Sequence, residues 1–433
     1  MIMRAARGTE RSRRDDFDLG APNPARYAAL VTPTEYTNVS SPLRAARVAN
    51  SVAFALQGFF LAVILTELPQ AQSRFGLSDT LILVAVVVIS LLAAVGSVVA
   101  EQLAVRWSSR VTLRIGLGLI AVTGVLIAFA PDKAVLFAAL SGYGVAVGIV
   151  DASTNMQAVF IQHGYGRFVL SSFYAAWSAG SILGALFVSG CEKFHVTRTE
   201  AVFVAALVVL VAGLVFGPRL LGTRQAEAEP TEAAHAAVVP LRAYLALGIA
   251  MALVFAIDLA VGNWSALYLK NELLSSSATA ALALAAYQGA SLLTRLTGDL
   301  WVRRFGPRPV VVAAAAIGVI GLLVVVSAPG PVAALIGFLI AGIGLPVIAP
   351  LCFSEAGRLT GGSGLDAVIA RLNLFNYAGT LIGGGVVGAV SDVSSLRIGF
   401  VIPLLFAAAL VLFARTFHAR TTARAGEPDA EAA

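Results

Sequence analysis

Long apolar runs separated by short polar segments dominate this chain. A helix of about 20 mostly apolar residues is long enough to cross the hydrocarbon core of a bilayer. Twelve such runs occur, six on either side of a polar segment from Thr223 to Val239 that is rich in alanine, glutamate and proline. The predicted spans are Val48–Leu68, Leu81–Ala100, Val111–Ala130, Ala134–Phe160, Phe168–Cys191, Ala201–Leu220, Ala243–Leu269, Ala278–Leu300, Pro309–Ser327, Val332–Phe353, Ala367–Val390 and Ile398–Ala414.

The pattern predicts an all-α integral membrane protein with twelve transmembrane helices in two pseudo-symmetric six-helix bundles. A cleaved signal peptide would place its apolar stretch nearer the N-terminus, so we expect the first run to be a retained helix. The predicted divisions are a disordered cytoplasmic tail (1–42), an N-terminal bundle (43–222), a cytoplasmic linker (223–240), a C-terminal bundle (241–415) and a second cytoplasmic tail (416–433).

Composition agrees with a membrane protein. Of the 433 residues, 58% are hydrophobic and only 12% are charged, and the mean hydropathy is +0.86. Soluble domains carry about 25% charged residues. The net charge of +6 is spread between the apolar runs rather than gathered into a patch, so a nucleic-acid partner is not expected. We expect membrane lipids as surroundings and a monomer.

The distribution of basic residues predicts the orientation in the membrane. Cytoplasmic loops carry an excess of lysine and arginine. With both termini inside, 23 of the 30 lysines and arginines fall on the cytoplasmic side and six outside, leaving Arg295 within a predicted span. The sequence therefore predicts a multi-pass protein of the plasma (inner) membrane with both termini in the cytoplasm.

Residue patterns for catalysis or cofactor binding were not found. Cys191 and Cys352 lie within or beside apolar runs and are interpreted as small core residues. The four histidines lie far apart at predicted loops or tails, and no lysine follows a phosphate-binding glycine pattern. We therefore expect no enzyme activity, no cofactor, no metal and no ATP-driven transport by this chain.

Two pairs of segments suggest an internal duplication. The sequence AEQLAVRWSSR (Ala100–Arg110) follows the second predicted helix, and GDLWVRRFGPR (Gly298–Arg308) follows the eighth, 198 residues later. A Gly-x-x-x-Gly pattern occurs in the fifth helix and again 199 residues later in the eleventh. Such glycines permit close helix packing. The four glycines are Gly180, Gly184, Gly379 and Gly383.

The repeated acid-and-arginine loops predict a gate. A carboxylate at the end of one helix would face arginines of the next loop, and Arg295 lies one turn before Asp299 on the same helix face. This cluster would latch neighbouring helices in one conformation and release them in another. The alternative is that the arginines only follow the positive-inside rule and bind lipid phosphates. The gating candidates are Glu101, Arg106, Arg110, Arg295, Asp299, Arg304 and Arg308.

The GDLWVRRFGPR loop resembles the loop signature of the major facilitator superfamily, and the likeness covers nearly all of Val48–Ala414. The N-terminal copy departs from the signature, with Glu101 in place of aspartate and Ser108 in place of the later glycine. The stretch Val150–Ala185 further resembles the fucose-permease-like branch and its poorly characterised inner-membrane relatives. The resemblance implies alternating access, with a substrate cavity between the halves that the first and seventh helices line together.

The fourth predicted helix carries the first intramembrane acid. Asp151 and Asn155 are four residues apart and share one helix face. A carboxylate within hydrocarbon costs about 2.5–3.5 kcal/mol on insertion scales. Asp151 is therefore predicted to face the central cavity and to exchange a proton there. The alternative is a packing hydrogen bond to a neighbouring backbone.

The seventh helix carries the second intramembrane acid, Asp258. Gln57 lies at a corresponding depth in the first helix, and Trp264 would either stack on a ligand ring or belong to an interfacial belt. Glycines and prolines between Gly342 and Pro350 predict a bend in the tenth helix. The candidate substrate- or proton-binding residues are Gln57, Asp151, Asn155, Asp258, Asn263, Trp264, Asn373 and Asn376.

Together these features predict a secondary transporter for a small organic solute, coupled to protons through Asp151 or Asp258. The branch resemblance implies a sugar-like substrate. Export of a drug or natural product is an alternative, because the predicted cavity has few charges. A membrane sensor that binds a ligand without moving it is an alternative of another class.

Overall fold

A computed structural model describes residues 39–222, 240–360 and 364–418, and every regular element in these ranges is helical. The predicted tails and linker lie almost wholly outside the described residues. The N-half (41–222) contains α1 Ser41–Thr66, α2 Asp79–Arg106, α3 Ser109–Ala128, α4 Lys133–Tyr165, α5 Leu170–Lys193 and α6 Arg198–Phe216. The C-half (240–418) contains α7 Leu241–Leu267, α8 Ser277–Phe305, α9 Pro307–Ser327, α10 Pro331–Thr360, α11 Leu365–Val393 and α12 Leu396–Thr416.

These twelve helices match the predicted spans in number and order, and most extend a few residues further. Within the described residues, eleven are long and apolar enough to cross a membrane. The exception is α8, which carries Arg295 and Asp299. Both side chains are only 6% exposed, so the polarity of α8 is buried against other helices. The all-α, twelve-helix fold is confirmed.

Side-chain caps set where several helices begin. Asp132 accepts backbone N–H bonds from Ala134 and Val135 at 2.8 and 2.9 Å at the start of α4. Thr197 and Glu200 form a reciprocal capping box before α6. These contacts satisfy N–H groups that the first helical turn leaves without partners.

The repeated glycines give the two halves the same internal packing. A Cβ on Gly180 would lie 2.0 Å from the carbonyl oxygen of Ala55 on α1, and one on Gly379 would lie 2.1 Å from that of Ala252 on α7. Gly184 and Gly383 repeat the approach one turn later, at 2.3 and 2.1 Å. The close packing predicted for these glycines is confirmed.

The loop between α8 and α9 explains one difference between the repeated segments. Gly306 has φ +86°, a region that favours glycine because it lacks a Cβ. Its counterpart 198 residues earlier, Ser108, has φ 172°, which is extended backbone open to any residue. Ser108 also caps α3 by accepting a bond from Val111 N–H. The serine therefore suits a differently shaped turn.

The helix α10 is interrupted where the sequence predicts a bend. In α10 the regular helix stops at Gly344, passes through a 3₁₀ turn at Leu345–Val347 and resumes at Ile348. This interruption lies within the predicted Gly342–Pro350 segment. The helix α1 ends at Thr66 and is followed by a short helix, Leu68–Phe75.

The halves meet mainly through α2 on α11 and α5 on α8. We call the end of the molecule at which α2 and α8 finish the arginine-rich end, and the opposite end the far end. The outward faces of the helices are apolar: Leu91 and Val95 of α2 and Leu183 and Leu186 of α5 are each more than half exposed. Such faces suit contact with lipid.

Candidate functional site

Asp151 lies near the middle of α4 and is bonded by both halves. Its Oδ1 accepts a bond from the Gln57 amide of α1 at 3.3 Å. Its Oδ2 accepts three bonds from α11 of the other half: Asn373 Nδ2 at 2.9 Å, Asn376 Nδ2 at 3.2 Å and the Tyr377 hydroxyl at 2.9 Å. We call these five residues the Asp151 cluster. The structure thus brings together four of the predicted candidates.

Every donor to Asp151 is neutral. Within the described residues, no arginine, lysine or histidine forms an ion pair with this carboxyl group. Further hydrogen bonds position the two asparagine donors of α11. Asn373 also donates to Ser97 on α2 at 3.1 Å, and Asn376 donates to Asn373 Oδ1 at 3.3 Å. The carboxyl group is therefore well placed but lacks a countercharge.

Asp258 is part of a second cluster. It lies on α7 and accepts a hydrogen bond from the Tyr287 hydroxyl of α8. The Arg295 guanidinium of α8 lies 3.6 Å from Asp258 Oδ2 and donates to Ser178 Oγ on α5 of the other half at 2.7 Å. We call these four residues the Asp258 cluster. Its acid, unlike Asp151, faces a cation.

The two clusters approach each other through α5. The Tyr174 hydroxyl donates to Asn155 Oδ1 on α4 at 3.0 Å, and the Arg295 guanidinium lies 5.8 Å from the centre of the Tyr174 ring. Asn155, predicted to share a face with Asp151, donates to the Asp151 backbone carbonyl at 2.9 Å. A continuous polar layer therefore crosses the middle of the interface.

Glu101 and Asp299, the acids of the two repeated loops, each contact the other half at the arginine-rich end, but with different partners. The Asp299 carboxylate accepts the backbone N–H groups of Ser171 and Ser172, each at 3.0 Å, at the start of α5. The Glu101 carboxylate pairs with Arg371 of α11 at 2.7 Å. Helix N-termini bind anions through free N–H groups and the helix dipole. Both contacts join the two halves at this end.

The chain after α12 adds a third contact between the halves at this end. The buried Glu355 of α10 accepts bonds from Arg358 at 2.8 Å and His418 Nδ1 at 2.8 Å. The His418 ring stacks on Phe168, which belongs to the N-half, with 6.4 Å between ring centres. The Phe168 carbonyl also accepts a bond from Arg303 Nε of α8 at 2.8 Å.

The remaining sequence candidates lie apart from the clusters. The Trp264 ring packs against Gly388 of α11 and donates to the Gly384 carbonyl at 3.3 Å, a contact within the C-half. Asn263 is exposed near the far end of α7. Of the arginines, Arg106 and Arg304 lie over the neighbouring rings of Trp107 and Phe305, whereas Arg110 and Arg308 are partly buried beside the loops.

Several residues of the site were not predicted as members. Arg371 entered the sequence analysis only as one of the 23 basic residues on the cytoplasmic side. No sequence pattern marked Ser178 or Tyr287 individually. One signal was available: the offset of 199 that aligns the glycines of α5 and α11 also aligns Tyr174 with Asn373 and Ser178 with Tyr377. Within the described residues, no group of three His, Cys, Asp or Glu side chains could hold a metal ion.

The fold and its interface define a membrane carrier built of two six-helix halves. The sequence model of the Major Facilitator Superfamily matches residues 10–185 and 246–433, and the chain belongs to this superfamily. Its members are carriers rather than enzymes, and they work as secondary transporters.

Individual relatives cover most of the chain. An uncharacterised MFS-type transporter of Yersinia pestis is 26% identical over 354 residues, which are 82% of this chain and 91% of the relative. An uncharacterised transporter of Sinorhizobium fredii is 28% identical over 372 residues, 83% and 95% of the two chains. The crystal structure of the transporter FucP in the outward conformation shares the fold, with a TM-score of 0.71 and 17% identity over 85% of this chain and 97% of FucP.

Proposed function

We propose that this protein is a proton-coupled secondary transporter of a small polar solute and that Asp151 binds the proton. The arginine-rich end faces the cytoplasm, both termini are cytoplasmic, and the protein acts as a monomer in the inner membrane. The observation that supports the proton site is that Asp151 is held by both halves through neutral donors alone.

Opening of the arginine-rich end would change the surroundings of Asp151. Three of its four donors belong to α11, so separation of the halves removes every bond to Oδ2 and leaves only the Gln57 contact. An ionised carboxylate in this region is costly without a partner. Water must then donate to the carboxylate, or a proton must bind to it. The proton state of Asp151 is thereby linked to the arrangement of the halves.

Gln57 can accept either proton state of Asp151. Its buried Oε1 atom has no hydrogen-bond partner among the described residues, and Nε2 donates to Asp151 Oδ1 at 3.3 Å. Rotation of the amide by half a turn would direct Oε1 toward a protonated Oδ1, while Oδ2 keeps its three donors. Protonation at Oδ1 would therefore need no rearrangement of α11.

The Asp258 cluster is the proposed solute site. The Asp258 side chain is 21% exposed, with Arg295 beside it, so it offers both acceptors and donors to solute hydroxyl groups. FucP is a fucose:proton symporter, and a sugar-like solute is the first candidate for this chain as well. Such a solute would contact Asp258 and Arg295 while Asp151 carries the proton.

The test separates solute binding from proton movement. Purified protein is first screened by thermal shift against neutral monosaccharides and amphipathic drugs, because a bound ligand raises the melting temperature. Proteoliposomes containing a pH-sensitive dye are then given the stabilising solute. We expect solute-dependent proton movement by wild type and none by Asp151→Asn, although the variant still binds the solute.

The matched control is Asp132→Asn, the same substitution in the same helix at its exposed cap. Asn in place of Asp151 mimics the protonated acid, since its NH₂ can donate to Gln57 Oε1, and the fold should persist. Equal proton movement by Asp151→Asn and wild type would contradict the proton site. Stabilisation by drugs alone would make the protein an exporter, and binding without transport in wild type would make it a sensor.

A further inference from the structure

The N-half has a lipid-facing groove at the arginine-rich end that no part of the transport site uses. It lies between α3 and α6, has a cavity volume of about 270 Å³ and is lined by apolar residues and one charged residue, Arg114. Gly118 and Gly213 form part of its wall. A Cβ on Gly118 would meet nothing within 4 Å, and one on Gly213 would only touch Leu117 at 3.5 Å. The groove therefore has room for an apolar chain.

Arg114 lines this groove, and two further arginines, Arg110 and Arg219, lie on the neighbouring ends of α3 and α6. The Arg114 side chain lies over Gly217, with Cγ 3.0 Å from the position of a Cβ there, and Arg110 Nη1 lies 3.9 Å from the corresponding position at Gly222. Arg219 is exposed on the same segment, which leads out of α6. Both arginines of α3 therefore lie against the segment that carries the third.

These arginines have no carboxylate partner among the described residues. No ion pair involves Arg110, Arg114 or Arg219, and the contact seen for Arg219 is with the Phe216 ring. Elsewhere at this end, acids meet partners across the interface, as Glu101 meets Arg371. Three positive charges therefore lie near an apolar groove, at the ends of two helices that are long and apolar enough to span a membrane.

We propose that this groove is a binding site for an anionic phospholipid, with one acyl chain between α3 and α6 and the phosphate on Arg110, Arg114 and Arg219. Charge complementarity favours an anionic headgroup over a zwitterionic one. Three arginines near an anionic headgroup correspond to a preference of roughly 100-fold over a zwitterionic one. The site is distinct from the Asp151 and Asp258 clusters, and its test does not depend on transport.

The experiment compares retention of dioleoyl phosphatidylglycerol and dioleoyl phosphatidylcholine by the purified full chain, measured by native mass spectrometry. Wild type should retain phosphatidylglycerol 10- to 100-fold more strongly. The triple variant R110Q/R114Q/R219Q should lose this preference. The matched control R242Q/K270Q/R415Q removes the same charge from exposed basic residues of the C-half and should keep it.

A second variant tests the acyl chain separately from the charge. Gly118→Leu places a side chain in the open groove and should lower retention at least tenfold while the melting temperature stays within a few degrees of wild type. Equal retention of the two lipids by wild type, loss of preference in the control variant, or unchanged retention by Gly118→Leu would each overturn the site. Displacement of the lipid by inorganic phosphate would also overturn it, by showing a free-anion site.

Discussion

Replacing Asp299 by asparagine should shift the protein toward opening at the arginine-rich end. Asp299 is 6% exposed, and each of its oxygens accepts a backbone N–H at 3.0 Å. A hydrogen bond to a charged group contributes about 1.5–3 kcal/mol. Asparagine keeps one acceptor and turns its NH₂ toward the second N–H. We expect a loss of about 2 kcal/mol from the closed state, roughly a 30-fold shift.

The pseudo-symmetric substitution, Glu101→Gln, is the matched comparison. Its partner Arg371 has a side chain 60% exposed, and the Glu101 side chain is 17% exposed. The pair is bidentate, with Arg371 Nε and Nη2 donating to Glu101 at 3.1 and 2.7 Å, but water reaches the arginine and screens the charges, so we expect a contribution at the upper end of about 0.2–1 kcal/mol. Glu101→Gln should therefore shift the opening equilibrium fivefold at most, which corresponds to about 1 kcal/mol. This is well below the shift expected for Asp299→Asn.

Single-molecule fluorescence transfer measures this shift directly. Dyes on Val105→Cys and Trp301→Cys report the separation of the halves, since both residues are exposed at the arginine-rich end, in a background with Cys191→Ser and Cys352→Ala. The population with the larger separation gives the opening equilibrium for each variant. A shift in Glu101→Gln as large as that in Asp299→Asn would refute the reasoning, because burial would then not distinguish the two contacts.

Two further predictions concern stability. Gly379→Ala should destabilise the fold by about 1–3 kcal/mol, because its Cβ would overlap the Ala252 carbonyl. The control Gly385→Ala, in the same helix, places its Cβ in open space and should be neutral or slightly stabilising. Equal melting temperatures of the two variants would contradict the packing argument. Glu355→Gln should lower the melting temperature by the equivalent of about 1–3 kcal/mol, since it weakens the bonds from Arg358 and His418, and a melting temperature unchanged from wild type would show that these bonds add nothing.

The fold could be predicted because the length of an apolar run and the charge of a loop are each properties of a short stretch of sequence. Each span needs only its own apolar run, and the glycine pairs needed only the offset of 199 between α5 and α11. The lengths differed where helices project beyond the predicted spans: α2 continues from the predicted Ala100 to Arg106, and α4 from Phe160 to Tyr165. The apolar pattern cannot predict such extensions. Outside the hydrocarbon core a helix can continue through polar residues, which do not belong to the apolar run.

Partners across the interface could not be predicted in the same way. Arg295 was expected to act with Asp299 one turn away, but it lies beside Asp258 and Ser178, and Asp299 instead caps the start of α5. Spacing along one helix defines which side chains share a face. It does not define which helix of the other half meets that face, and this depends on how whole halves pack.

The helices α5 and α11 combine close packing within each half with polar contacts across the interface. Their glycines hold α5 on α1 and α11 on α7 at backbone contact, so neither helix can move far without its own half. At the aligned positions, Ser178 of α5 bonds Arg295 of the C-half, and Tyr377 of α11 bonds Asp151 of the N-half. A change at Asp151 or at the Asp258–Arg295 pair that breaks these bonds therefore acts on a helix that is fixed to a whole half. Loss of these bonds should consequently move the halves as rigid bodies rather than bend single helices.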